Sequence, residues 1–287
     1  MRATRRHHWL KRHLEGYLFL LPNLLGFLVF TLFPVLFAFL LGFLSWDLLT
    51  PPTFVGLGNY AKLLQDRVFI RALLNTAYYV FVSVPLGVCV SLILALAMNK
   101  KLRGIVFFRT LYFMPVVSSS VAVALIWRWL YNPDFGLVNY CLRLIGIPGP
   151  NWLTDSQWAM PAVIITSVWK NMGYNMVIFL AGLQGIPQEF YEAAEIDGAG
   201  SWGRFRWVTL PLLTPTTFFV LITSLIGSFQ VFDSVMVMTE GGPGNATNTI
   251  VLYIYNAAFQ WFKMGYAAAM GWVLFLIIFV ATLVQVK

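Results

Sequence analysis

The sequence predicts an all-α, polytopic membrane protein with six transmembrane helices. Of its 287 residues, 59% are hydrophobic and only 10% are charged, whereas about a quarter of the residues of a soluble domain are charged. The few charged residues delimit long apolar blocks, and each block can hold roughly 18 residues or more, enough to cross the hydrocarbon core of a bilayer. The basic residues are also distributed unequally between alternate loops, which indicates a fixed orientation in the membrane.

The six spans follow from the positions of the charged residues. Five blocks contain no Asp, Glu, Lys or Arg, and a sixth, between Asp155 and Glu189, is interrupted only by Lys170. The predicted spans occupy about residues 17–44, 72–98, 110–129, 156–183 and 210–238, and the sixth lies in the charge-free block between Lys263 and Lys287. The first is too long for the core of a signal peptide, so we interpret it as a retained helix. Between the first two spans, the stretch "YAKLLQDRVFIRAL" predicts one amphipathic helix at the membrane interface.

The distribution of basic residues predicts cytoplasmic N- and C-termini. With that orientation, twelve Lys and Arg residues lie on the inner side and six on the outer side, as the positive-inside rule requires. Residues 1–16 then form a basic cytoplasmic tail near the lipid headgroups. Residues 17–287 form one transmembrane domain, with a core at about 72–287. Because the basic residues are not gathered on one soluble face, the net charge of +8 does not indicate a nucleic-acid partner.

The sequence gives no indication of a metal site or of an enzyme. Cys89 and Cys141 do not have metal-ligand spacing, and the three histidines lie in the basic tail. We find no paired carboxylates or nucleophile elbow. The sequence also lacks the G-x-x-x-x-G-K-[ST] motif, so we expect the glycine run in "TEGGPGNATNT" to be an outer turn rather than a phosphate site.

A compact charged segment, residues 184–208, connects the fourth and fifth spans on the predicted cytoplasmic side. It contains "IPQEFYEAAEIDGAGSWGRFRWV", in which Pro187 suits the first turn of a helix. Asp197 and Gly198 predict a turn, and Ser201 is placed to cap a second helix. The segment is therefore expected to form two short helices joined at Gly198. On physical grounds alone it is either a docking element or a connector without a partner.

This segment resembles the signature loop of permease subunits of binding-protein-dependent ABC importers. The family pattern is E-A-A, three residues, G, nine residues and I-x-L-P. Here Glu192-Ala193-Ala194 and Gly198 match, and the motif ends at Leu210-Pro211 with Val208 in place of Ile. Stretches such as "FVGLGNYAKLL", "LYFMPVVSSSVAVALIWRWLY" and "TEGGPGNATNT" are similar to the carbohydrate-uptake branch, which includes the maltose and glycerol-phosphate importers.

The resemblance implies the type I ABC importer permease fold and a non-catalytic role in the membrane of a prokaryotic cell. It implies four kinds of partner: membrane lipid, a second permease in a heterodimer, two ATPase subunits and an extracytoplasmic solute-binding protein. ATP and Mg²⁺ would bind in the ATPase subunits, and this chain would hold no cofactor. The residues implied to couple the chain to an ATPase are Glu192, Ala193, Ala194, Asp197, Gly198 and Pro211.

Polar residues inside two predicted spans indicate a solute pathway, because such groups are costly within a bilayer. Asn171 and Tyr174 lie one helical turn apart, as do Gln230 and Asp233, so we expect each pair to share a helix face. The positions that hold sugar in the resembled maltose subunit match Asn171, Tyr174, Ser224, Gly227, Ser228 and Val231. The complete set of predicted pathway residues is Lys170, Asn171, Tyr174, Ser224, Gly227, Ser228, Gln230, Val231 and Asp233.

Several alternatives remain open at this point. The resemblance implies uptake of a sugar, glycoside or related polyol, and the alternative in the same class is glycerol phosphate or another small solute. Lys170 either contacts an anionic solute or forms an ion pair, with Asp233 or with the partner permease. An ion-coupled secondary transporter is the alternative from a different class. Such a carrier normally has buried carboxylates and more spans, whereas Asp233 is the only acidic residue in the predicted spans.

Overall fold

The computed structural model describes residues 16–100 and 103–286, and the predicted basic tail therefore lies almost entirely outside the described residues. The described part is mainly helical, with one short β-hairpin formed by β1 (Leu44–Ser45) and β2 (Thr53–Phe54). The helices are α1 (Gly16–Leu41), α2 (Gly58–Gln65), α3 (Arg67–Met98), α4 (Ile105–Val117), α5 (Ser120–Leu130), α6 (Leu137–Leu144), α7 (Ala159–Gln184), α8 (Gln188–Ile196), α9 (Ser201–Leu212), α10 (Thr214–Phe229), α11 (Asp233–Met238), α12 (Ile250–Gln260) and α13 (Met264–Val286).

The chain divides into two compact units, of which the first contains residues 16–65 and 255–273. In this unit the side-chain amide of Asn59 donates hydrogen bonds to the carbonyls of Gly42 (3.0 Å) and Leu44 (2.9 Å), which fixes the hairpin against α2. A Cβ atom on Gly265 would collide with the Leu44 carbonyl oxygen. Glycine therefore lets the start of α13 approach the hairpin backbone closely.

The second unit contains residues 66–254 and 274–286 and is organised around α3 and α7. The Ser91 hydroxyl of α3 donates to the carbonyl of Met172 in α7 at 3.0 Å. At Gly173, a Cβ atom would collide with the backbone of Tyr112, so the missing side chain allows α4 to pack closely against α7. One cluster of buried apolar side chains in this unit consists of Ala95, Met176, Phe179, Leu180, Leu183, Leu213 and Val220.

Two of the predicted spans are bent in the structure. Helices α4 and α5 replace the predicted straight span at 110–129 and meet at an angle of 101°, and α9 and α10 meet at 64°. Among the described residues, α1, α3 and α13 are long and apolar enough to cross a membrane, and each bent pair adds one more if it forms a single span. Helix α7 is less apolar than these three helices, although its 26 residues, at about 1.5 Å each, exceed the hydrocarbon thickness. The count of six spans therefore stays a prediction.

Several predicted boundaries are wrong for identifiable local reasons. The predicted interfacial helix is interrupted at Asp66, whose carboxylate accepts hydrogen bonds from the N–H groups of Val68 and Phe69 and so caps a new helix, α3. Ser201 is not a cap, because α9 begins there after an extended Gly200 that has no side-chain cap bond. Pro187 likewise lies just before α8 instead of within its first turn.

Candidate functional site

The second unit contains a cavity of about 350 Å³ whose walls come from α3, α5, α7, α10, α11 and the α10–α11 connection. All nine residues of the predicted solute pathway line it, so residues from two separate predicted spans come together at one place. These residues are Lys170, Asn171, Tyr174, Ser224, Gly227, Ser228, Gln230, Val231 and Asp233. Their contact with a solute is a separate matter and remains a prediction.

Helix α7 supplies one wall of the cavity. Tyr174 is 48% exposed, which leaves its ring free for contact with a bound molecule. The Asn171 side-chain amide donates to the carbonyl of Ser167 at 2.9 Å, which orients it along the helix. The buried Asn175 instead donates to the Ser224 hydroxyl of α10 at 3.1 Å. Asn175 thus connects two walls, whereas Asn171 and Tyr174 present their polar groups to the cavity.

Another part of the cavity wall is formed by a helix interruption that the sequence analysis did not predict. Helix α10 ends at Phe229, and α11 begins at Asp233. The expectation that Gln230 and Asp233 share one helical face is therefore wrong, although both residues line the cavity. The hydroxyl of Thr249 donates to the carbonyl of Val231 at 3.2 Å and so satisfies one backbone group that the interruption leaves outside a helix.

The cavity lining contains one cationic and one anionic side chain, Lys170 and Asp233. In the part of the chain that the structure describes, these two side chains do not form a salt bridge with each other. An ion pair between them, one of the alternatives for Lys170, is therefore not present in this structure. A charged solute group or a residue of a partner permease remains as a counter-ion for Lys170.

Sequence reasoning missed the part of the cavity that α3 and α5 contribute. Tyr79, Ser83 and Gly87 of α3 line it, together with Ser120 at the start of α5. The α3 residues are spaced four apart, so they lie along one helix face. That periodicity of small and hydroxyl-bearing residues within an apolar span was the available signal. Ser120 follows the 101° bend, and the nearest local signal for that bend is Pro115 in the last turn of α4.

The charged segment folds as the predicted pair of short helices, α8 and α9, joined at Gly198. Gly198 has a φ of +81°, in the left-handed region that glycine adopts without strain. The N–H of Gly198 donates to the carbonyl of Glu195 (3.0 Å), and the N–H of Ala199 donates to that of Ala194 (2.8 Å). These two bonds form a Schellman motif, which ends α8 and redirects the chain.

Side-chain contacts hold α8 and α9 together. Arg204 forms an ion pair with Glu195 at 3.0 Å, and the hydroxyls of Tyr191 and Thr209 lie 3.1 Å apart. Glu192 and Ala193 are exposed on α8, Ala194 is half-buried, and Asp197 is exposed in the turn. Large apolar groups are also exposed on this helix pair and include Phe190 and Ile196. Pro211 lies in the last turn of α9 and is exposed.

The sequence is similar to permease proteins of transport systems over nearly its whole length. The family described as "Binding-protein-dependent transport system inner membrane component" matches residues 70–286. The chain is 42% identical to the lactose transport system permease protein LacF of Rhizobium radiobacter, over 99% of this chain and 97% of that protein. It is 38% identical to the trehalose/maltose transport system permease protein MalF of Thermococcus litoralis, over 95% and 92% of the two chains.

A solved structure has a similar fold. The chain superimposes with a TM-score of 0.85 on one chain of a bacterial alginate ABC transporter in complex with an alginate pentasaccharide-bound periplasmic protein. The sequence identity is 27%, and the match covers 96% of this chain and 93% of that chain.

Proposed function

This chain belongs to the family of binding-protein-dependent transport system inner membrane components, and we propose that it is the permease subunit of an ATP-driven importer for a sugar, glycoside or related polyol. Its fold is the type I ABC importer permease fold, and its location is the inner membrane. The family assignment argues against the ion-coupled secondary transporter. As a permease subunit the chain has no catalytic role of its own, and ATP with Mg²⁺ would be bound and hydrolysed by partner subunits.

The observation that carries the proposal is the single cavity that contains all nine predicted pathway residues. Its lining is rich in hydroxyl and amide groups, which act as donors or acceptors toward the hydroxyls of a sugar. The exposed ring of Tyr174 offers an apolar surface for the face of a pyranose. This combination of polar groups and one accessible aromatic ring suits a polyhydroxylated solute better than a purely apolar one.

The α8–α9 pair is proposed to dock onto an ATPase subunit. Ala193 and Ala194 have small side chains that permit close approach, and Glu192 is exposed and free to pair with a basic group on the partner. Because Arg204 and Glu195 join the two helices, displacement of α8 would be transmitted through α9 to α10. Movement of α10 would change the cavity, because four residues of α10 line it, together with the three residues that connect α10 to α11.

The proposed assembly contains this chain, a second permease, two ATPase subunits and an extracytoplasmic solute-binding protein. The solved alginate ABC transporter that this chain resembles was crystallised with a periplasmic protein, which supports that last partner. Named substrates of relatives include lactose, trehalose/maltose and arabinooligosaccharides. They indicate di- and oligosaccharides as the first solutes to test.

Reconstitution tests the proposal. The complete complex is placed in proteoliposomes with its solute-binding protein and given lactose, trehalose, maltose, arabino-oligosaccharide or glycerol 3-phosphate. We expect ATP-dependent uptake of at least one of these sugars in unchanged chemical form, and no ATPase activity above a mock preparation for this chain alone. Uptake driven by an ion gradient without ATP, or ATP hydrolysis by the solitary chain, would contradict the proposal.

Glycerol phosphate remains the second candidate because of Lys170. The chain is 35% identical to the sn-glycerol-3-phosphate transport system permease protein UgpA of Agrobacterium fabrum, over 82% of this chain and 80% of that protein. Lys170 lines the cavity without a salt bridge to a described residue, so a phosphate group could serve as its counter-ion. Replacing Lys170 with Met should then abolish uptake of glycerol 3-phosphate, whereas uptake of a neutral disaccharide should fall much less.

A further inference from the structure

The connection between α11 and α12, residues 239–249, is fixed to α3 by a buried side-chain amide. The amide of Asn75 in α3 donates to the carbonyl of Asn245 at 2.7 Å and to that of Asn248 at 3.0 Å. Asn75 is only 8% exposed. An asparagine amide has two donor hydrogens, and here both bond to the same segment. They hold two points of the α11–α12 connection against α3.

A second contact with α3 follows at the start of α12. The Thr76 hydroxyl accepts a hydrogen bond from the N–H of Ile250 at 2.9 Å and donates to the carbonyl of Ala72 at 2.8 Å. Thr76 and Ile250 are fully buried. Ile250 is the first residue of α12, and the first N–H groups of a helix have no partner within that helix. Two adjacent residues of α3 therefore bind the backbone on both sides of Thr249.

Thr249, which lies between these contacts, reaches the cavity wall. It follows Asn248 and precedes Ile250, and its hydroxyl donates to the carbonyl of Val231 at 3.2 Å. Val231 lines the cavity within the interruption between α10 and α11. A series of hydrogen bonds thus runs from α3, through the α11–α12 connection, to a backbone group of the cavity wall.

The α11–α12 connection is held in a backbone conformation that a free loop would not retain. Glu240 and Asn245 have φ values of +53° and +64°, in a region that is uncommon for residues other than glycine. Such conformations persist where the surrounding contacts determine them. The Thr247 hydroxyl supplies two of these contacts, because it donates to the carbonyl of Gly242 and lies 2.7 Å from the hydroxyl of Thr239. The connection is therefore stiff enough to carry a constraint from α3 to the cavity wall.

We propose that Asn75 and Thr76 are positioning residues for the solute cavity, and that they act through the α11–α12 connection on the interruption between α10 and α11. Neither residue belongs to the cavity lining in the described part of the chain. Loss of either contact leaves buried backbone groups unpaired and frees the segment that holds Val231. The consequence for transport rests on the proposed function, whereas the consequence for the position of Val231 does not.

The test measures the surroundings of Val231 in the complete complex. The cysteines of the complex, including Cys89 and Cys141, are replaced by Ser, and Val231→Cys supplies a single thiol whose rate of modification by 2-aminoethyl methanethiosulfonate is measured. Asn75→Leu removes both donors at nearly constant volume. We expect it to raise the modification rate of folded protein about threefold or more, as the loss of about one hydrogen bond allows. Thr76→Val should act in the same way, whereas Thr76→Ser keeps the hydroxyl and should not.

Asn59→Leu is the matched control. Asn59 is likewise a buried asparagine whose amide donates to two carbonyls, but it lies in the first unit. This control should lower the thermal unfolding temperature as Asn75→Leu does, and it should leave the modification rate unchanged. An unchanged rate in both Asn75→Leu and Thr76→Val, or an equal rise in Asn59→Leu, would overturn the positioning role. If Asn75→Leu does not assemble, the comparison of Thr76→Val with Thr76→Ser decides the question.

Transport provides the second measurement. With the sugar that the wild-type complex imports, initial uptake per folded complex should fall about threefold in Asn75→Leu and stay at the wild-type rate in Asn59→Leu. Wild-type uptake in Asn75→Leu would overturn a role of this contact in transport. Failure of the wild-type complex to import any sugar would refute the proposed function alone, because the modification rate does not depend on transport.

Discussion

At the scale of single residues, the polar side chains of α7 divide into two groups by exposure. Asn175 is buried and its amide is used in a bond to Ser224, so we assign it to the packing of α7 against α10. Asn171 is exposed at the cavity, and Tyr174 is nearly half-exposed. Polar groups within a predicted span that do not bond to another helix are the ones expected to meet a solute.

The first prediction concerns these two residues. Asn171→Ala and Tyr174→Ala should each lower the solute uptake rate about tenfold or more, because each removes a hydrogen-bonding group or a stacking ring from the cavity. Co-purification with the other subunits should be unchanged. Val177→Ala on the same helix is the control, since Val177 is exposed but does not line the cavity. Uptake at the control level in both variants would place the solute pathway elsewhere.

At the scale of secondary-structure elements, the cavity depends on interrupted helices. The connection between α10 and α11 carries Gln230, Val231 and Phe232 into the lining. Backbone outside a helix is tolerated at membrane depth where protein or a water-filled cavity satisfies its polar groups. The Thr249 hydroxyl does so for Val231, and Thr249 itself is fully buried.

We therefore predict that Thr249→Val, a change of nearly constant volume, destabilises the chain by about 1 kcal/mol and lowers uptake. The lost hydrogen bond leaves the Val231 carbonyl unpaired beside the cavity. Thr282→Val is the control, because Thr282 bonds only to the carbonyl four residues earlier in α13. Thermal unfolding and initial uptake rates of both variants are the measurements, and equal effects on uptake would contradict a special role for Thr249.

The turn at Gly198 allows a test of the proposal that the α8–α9 pair docks onto an ATPase subunit. Gly198→Val places a β-branched residue at a φ of +81°, a strain of about 1–2 kcal/mol. Gly200→Val is the matched control, because Gly200 has a φ of −68° and open space around its Cβ position. We expect the first variant to weaken co-purification of the ATPase subunit or to uncouple ATP hydrolysis from uptake, and the second to do neither. Normal association and coupling in both would refute a docking role that depends on this turn.

Apolar block length was sufficient to predict where most helices lie. Polar residues within the spans, together with the resemblance to the maltose subunit, predicted nine residues of the cavity lining, but not those of α3 and α5. The bends were not predictable in this way, because averaged hydropathy does not register a change of direction. Pro115 lies just before the 101° bend, but a proline alone does not predict a bend, since Pro85 lies within the continuous helix α3. Helix α10 ends at Phe229, and the hydroxyl of Thr249 then donates to the carbonyl of Val231. Thr249 is distant in the sequence, so no local pattern predicts this contact.

At the scale of the whole molecule, the unequal distribution of charge has a consequence for orientation. The inner assignment of the α8–α9 pair and the outer assignment of the connection between the third and fourth predicted spans both follow from the positive-inside rule. The proposed function requires this arrangement, since ATP is in the cytoplasm and a solute-binding protein is outside. An inverted chain would present α8 to the wrong compartment.

Cysteine labelling in intact cells tests the orientation. Cys89 and Cys141 are first replaced by Ser, since both are exposed. Ser201→Cys then places a thiol at the start of α9, and Asp134→Cys places one between α5 and α6, both at exposed positions. A membrane-impermeant maleimide should label the second variant in intact cells and the first only after the membrane is opened. The opposite pattern would invert the predicted topology, and the α8–α9 pair would then be unable to meet a cytoplasmic ATPase.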